Sequence, residues 1–144
     1  VEDRCWTDTA TAKTTVEYEL VRAGYSTAKF PAARIYLSAV GYRLPSGLCI
    51  AHLNFDVTVF DVSRVSMPEE LGVGLVALSS DKSIFLRGVI MSGSGSLRDR
   101  IKDQASDFAR EFVVKVESVR QEILVELQKV STDEAKSWVT YVSR

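Results

Sequence analysis

Histidine, cysteine and proline are all scarce in this chain, and each shortage closes off a class of chemistry. One histidine, His52, and two cysteines, Cys5 and Cys49, stand among 144 residues. A tetrahedral zinc site therefore has too few donors, and neither a metal nor a cofactor is expected. Three prolines and eight glycines rule out a collagen-like or linker-rich chain. No run approaches the ~20 consecutive apolar residues of a membrane-spanning helix, so no membrane span is expected. An excess of one charge is missing too: 18 Lys plus Arg stand against 19 Asp plus Glu. They are divided 9 to 10 before Leu97 and 9 to 9 from there on. Nucleic-acid binding needs basic side chains gathered on one patch to release counterions from phosphates, so nucleic acid is not an expected partner.

What is present is the composition of an ordinary globular domain, 46% hydrophobic and 26% charged. A chain of this length buries roughly 68–70% of the surface its unfolded form exposes, enough for a core without metals or many disulfides. Residues 1–144 are read as a single α+β domain.

The first periodic stretch, residues 8–23, has Val16, Leu20 and Ala23 at helical spacing. Val16, Tyr18 and Leu20 also alternate as a strand would, but the run is long for a strand. Asp8 offers an N-cap and Gly24 a stop, so a helix is expected. From Arg34 the residues turn β-rich. Arg34–Leu44 and Leu48–Val62 flank the turn Pro45-Ser46-Gly47 and form a hairpin. In its second arm Cys49, Ala51, Leu53, Phe55, Val57 and Val59 share one face, and His52, Asn54, Asp56 and Thr58 the other. After a polar, proline-broken loop at 63–70, a second hairpin is expected from Leu71–Leu78 and Ser83–Met91, turning at Ser79–Lys82. Tyr25–Phe30 could add a short edge strand, limited by Pro31. The expected fold is thus a two-layer α+β domain, a four-stranded antiparallel sheet covered on one face by an N-terminal helix and a long C-terminal helix.

Residues 92–96, Ser-Gly-Ser-Gly-Ser, read as a hinge before the long helix, with Ser96 able to cap it. Leu97, Ile101, Ala105, Phe108, Phe112, Val116, Val119, Ile123, Leu127 and Val130 then recur with spacings of 4, 4 and 3. This eleven-residue period holds a stripe on one face of a nearly straight helix. Ser131 and Glu134 match a second capping box, so 131–144 are expected to form a short terminal helix carrying Ala135, Trp138, Val139 and Val142.

Length points to a function. Thirty-four helical residues span about 51 Å, whereas an eight-residue strand spans about 26 Å. The stripe outruns its sheet, and Val119, Ile123, Leu127 and Val130 require another cover: the terminal helix, the first helix or another chain. Trp138 and Tyr141 serve either as core or as interface anchors. Cys5 and Cys49 are read as a disulfide closing a loop of about 45 residues, worth roughly 4 kcal/mol. That bridge would imply an exported protein, periplasmic or envelope-associated. The other reading is two buried reduced thiols.

His52, Asn54 and Asp56 make a possible polar face. A catalytic triad needs groups that converge, and same-face strand residues diverge. The SGSGS segment lacks the Lys of a P-loop, and Asp99, Asp103 and Asp107 fall on the wet side of the helix beside Arg100, Lys102 and Arg110. The sequence therefore points to a non-enzymatic interaction or assembly module whose partner is another protein or a second copy. The alternative is a carrier of a small apolar ligand in a cavity lined by Leu53, Phe55, Val57, Phe108 and Phe112.

Overall fold

The computed structural model describes Cys5 and residues 9–26, 33–66, 75–94 and 96–129. Five elements follow one another: α1 (Thr9–Arg22), β1 (Ala33–Arg43), β2 (Cys49–Ser66), β3 (Leu75–Gly93) and α2 (Arg98–Gln128). The strands pair antiparallel in the order β1-β2-β3, so the fold is α+β.

Local chemistry explains the element ends. Gly24, at φ 90°, closes α1. Its N–H donates to the Val21 carbonyl at 3.0 Å and the Tyr25 N–H to that of Leu20 at 3.0 Å, the paired bonds of a Schellman cap. Between β1 and β2, Pro45 presets the first turn position. Gly47, at φ 82°, takes the left-handed one, donating to the Leu44 carbonyl at 2.9 Å. At the start of α2 the cap position falls to Leu97, without a capping side chain. Ser96 Oγ nevertheless accepts the Arg98 N–H at 3.3 Å, and the Arg100 guanidinium donates to the Ser92 carbonyl.

The sheet has three strands among the described residues, not four. The expected turn at Ser79–Lys82 does not form: β3 runs straight through it, pairing Ser79 with Val62 and Lys82 with Val59. Ser-Ser-Asp-Lys contains neither glycine nor proline, so nothing compels the chain to reverse there. Its four side chains are exposed, and Asp81 lies 3.8 Å from the Arg34 guanidinium. β2 correspondingly continues to Ser66, and among the described residues Phe60–Ser66 pairs with β3 alone, a two-stranded extension about 23 Å long at 3.3 Å per residue. A bulge at Val57/Thr58 also shifts the alternation. Thr58 turns inward, its Oγ1 without a partner among the described residues, while Val59, expected inside, is only half-buried. The possible strand at Tyr25–Phe30 begins with Tyr25 and Ser26 outside any strand; its remainder, Asp8 and the helix expected at 131–144 lie outside the described residues.

The inner face of β2 is the centre of the core. Cys49, Ala51, Leu53, Phe55 and Val57 are fully buried. Above them α1 contributes Ala12, Val16 and Leu20, and α2 contributes Ile101, Ala105, Phe108, Ala109 and Phe112. Phe55 packs edge-on against Phe85 (6.0 Å) and near Phe108 (6.3 Å), and Phe85 meets Phe112 at 5.5 Å. Cys5 is disulfide-bonded to Cys49, and its carbonyl accepts the Leu97 N–H at 3.0 Å. One residue thus ties the amino-terminal segment to both the sheet and the entry of α2. The helical cover is partial, since the inward residues of β1, Ile35, Leu37 and Ala39, are only half-buried.

Candidate functional site

α2 is one unbroken helix of 31 residues, about 46 Å long. Its stripe is buried from Leu97 to Phe112, and Val113 and Val116 reach the rim of the core. Beyond them the core cluster of the described residues ends. On the stripe Val119 is 38% exposed and Ile123 44%, with Leu127 half-buried; Val125, exposed too, stands on the opposite side of the helix. The polar side chains of this segment pair along the helix itself. Gln121 Nε2 donates to Glu117 Oε1 at 2.7 Å, Arg120 to Glu117 Oε2 at 3.1 Å, and Lys129 to Glu126 at 2.6 Å. The Gln121 hydrogen bond above all, with Arg120, holds the Glu117 carboxyl below its ordinary value. Val130, Trp138 and Tyr141 lie outside the described residues.

The outer sheet face carries His52, Asn54 and Asp56 on β2, as alternation requires, with His52 exposed. Asp56 Oδ1 accepts the Ser83 hydroxyl at 2.6 Å. At Gly88, a Cβ would stand 3.3 Å from His52 Nε2, so the missing side chain makes room for the ring. The flanking strands alter the character of this face. Val40 and Ile90 bracket His52, Tyr36 and Leu86 bracket Asp56, and Tyr42 stands beside Ile50. Ile90 is 73% exposed, so the polar trio sits in a mixed apolar surface. The signal lay in β3, where Ile84, Phe85 and Leu86 run together without alternation, the pattern of a strand covered on both faces.

No short-range pattern marked the polar junction between the helices. The Glu19 side chain, almost buried, accepts Arg110 Nη2 at 2.7 Å and the Ser106 hydroxyl at 2.9 Å. Arg110, chiefly, and Ser106 hold the Glu19 carboxyl below its ordinary value against the opposing effect of burial. Asp107 shares Arg110 at 3.5 Å. The partners are 87 and 91 residues apart, beyond the reach of any local periodicity.

Leu53, Phe55, Val57, Phe108 and Phe112 are packed against one another and their neighbours. The open volume lies at the edge of this cluster. A groove of about 850 Å³ runs between α1, β1 and the middle of α2, lined by Val16, Leu20, Tyr25, Ile35, Leu37 and Val116, with Val57 and Phe112 at its inner end. The Tyr25 ring lies 6.4 Å from Phe112; burial, then Glu117, raise its hydroxyl pKa. Among the described residues no cluster of His, Cys, Asp and Glu could hold a metal, and no helix is long and apolar enough to cross a membrane. Compared with family models, curated proteins and solved structures, the chain matches none.

Proposed function

We propose that this protein is a non-enzymatic assembly module, engaging a protein partner or a second copy through the distal half of α2, in an exported or envelope-associated setting. The carrying observation is that among the described residues the core cluster reaches no further along α2 than Val116, with Val119 and Ile123, on the same stripe of a continuous helix, exposed. Such a stripe favours association with another apolar surface. The disulfide is compatible with export. Sedimentation velocity from about 1 to 200 µM on the wild type and on a Val119→Lys, Ile123→Lys chain tests the reading. The wild-type mass should rise with concentration and the variant's should rise less, with unchanged circular dichroism. Coincident curves for the two chains would sink it.

A second reading, a carrier of a small apolar ligand, is favoured by the groove beside β1, whose lining is largely aliphatic and aromatic and whose volume lies in the range of ligand sites. Uptake of an apolar fluorescent probe that survives the two lysine substitutions but not Leu37→Glu would favour this carrier over the helix surface.

A further inference from the structure

We infer that the free edge of β1 is a seam at which a second copy of this chain pairs antiparallel about Ser38, joining two three-stranded sheets into one of six. The inference stands on β1 and α1, apart from the distal half of α2.

β1 is paired on one side only among the described residues. Its other edge is eleven residues long, about 36 Å. Between Arg34 and Arg43 it contains no charge and no proline. Natural sheets blunt exposed edges with Lys, Pro, bulges or shortness, and this stretch uses none of these devices.

A two-fold axis restricts the pairing. Directly opposed residues share a face, so their numbers must sum to an even value, and the sum 76 uses the whole strand, Ala33 opposite Arg43. The chemistry of that register is self-complementary. On the inner face Ile35 meets Gly41 and Leu37 meets Ala39, each large side chain against a small one. On the outer face Tyr36 meets Val40 and Arg34 meets the Tyr42 ring, with Ser38 opposite itself. The exposed outer surface of one copy then continues into that of the next, and the half-buried Ile35 and Leu37 gain cover.

The helix beside the seam carries matching charge. α1 faces β1 across the groove, which Lys13, Val16, Glu17 and Leu20 line together with Ala33 to Leu37. The same axis therefore sets the two copies of α1 antiparallel. Lys13 and Glu17, one turn apart and both on the groove side, then run in the opposite order on the second copy, so the two helices offer each other unlike charges.

Size sets the strength. An edge about 36 Å long and a sheet about 10 Å deep cover roughly 360 Å² per copy, below the ~800 Å² per partner of standard stable complexes. The α1 flank adds to this, and the association is expected to be weak and concentration-dependent.

Three variants at one position test the seam. The wild-type mass should climb from 16.0 kDa toward twice that value between about 1 and 200 µM. Ser38→Lys opposes two like charges on the axis and should weaken association at least tenfold, and mixing it with Ser38→Glu should restore the dimer. Ser38→Cys brings two Cα atoms to about 4.5–5.5 Å, within disulfide reach, and should cross-link on mild oxidation much faster than Tyr42→Cys. The cross-link should persist in the Val119→Lys, Ile123→Lys chain, which separates this seam from the α2 surface. A wild type monomeric throughout, a Ser38→Lys chain that dimerises as well as wild type, or equal cross-linking at Ser38→Cys and Tyr42→Cys would each overturn the proposal. Pairing of β1 with a strand of a different protein alone would appear as the first of these results.

Discussion

Replacing Cys5 and Cys49 together by alanine opens a loop whose ends are 44 residues apart. Closing a loop of that length is worth about 4 kcal/mol in the chain-entropy account. Both side chains are buried, so loss of the sulfurs adds a packing cost of about 1 kcal/mol. With a urea dependence near 2 kcal/mol/M, typical for this size, the unfolding midpoint should fall by about 2.5 M. The loss should also have a local component, because the Cys5 carbonyl accepts the Leu97 N–H at 3.0 Å. Hydrogen exchange should therefore show the Leu97 amide losing more protection than that of Ala105, deep in α2. A midpoint shift under about 0.5 M would refute the entropic estimate. A uniform loss of protection would refute the local tie and leave the bridge acting only on the unfolded chain.

Two further perturbations follow from the core and the helix junction. Phe55→Ala, at a fully buried site among Phe85 and Phe108, should cost about 3–5 kcal/mol by urea unfolding; a loss under about 2 kcal/mol would mean that the aromatic cluster closes over the gap. Because the Glu19 carboxyl is held below its ordinary value of 4.5 in the fold, the unfolded chain binds its proton more readily. The stabilisation is present above that value and is lost as pH falls through the lowered one. Glu19→Gln should thus flatten the acid limb of the stability curve below about pH 5, and an unchanged limb in the variant would contradict the assignment.

The sequence was most legible where a local rule acts alone. Gly24 and Gly47 sit at positive φ because the backbone must reverse there, and the inward row Cys49, Ala51, Leu53, Phe55 and Val57 follows from strict alternation. The α2 stripe was readable because one period persists across most of its length. The strand count was not: a polar tetrapeptide can run extended on a wet ribbon as readily as it can turn, and only the pairing partner at Val59–Val62 decides which. The bulge at Val57/Thr58 was illegible for a similar reason, since its extra residue is defined by the strand opposite. At the candidate sites, the alternation that sets His52, Asn54 and Asp56 on one face is a local rule. The apolar residues around them, like Glu19 with Arg110, belong to contacts between segments far apart in sequence.

The distal half of α2 is expensive as an isolated helix. Within residues 113–128 stand Val113, Val114, Val116, Val119, Ile123 and Val125. Each β-branched side chain costs about 0.5 kcal/mol of helix propensity relative to alanine, or roughly 3 kcal/mol together. The pairs Glu117–Arg120, Glu117–Gln121, Ser118–Glu122 and Glu126–Lys129 return about 0.2–0.5 kcal/mol each, less than that cost. The segment stays helical because it continues a helix already nucleated and anchored by Ile101 to Phe112, so only propagation must be met. Valine at Val119 serves neither helicity nor the core cluster of the described residues, and burial against another surface is the term that would repay it. A dimer joined at β1 presents two such helices related by one axis. A partner that spans both would bind with the effective concentration of a linked pair, so the inferred seam and the proposed helix surface, each weak, would reinforce one another.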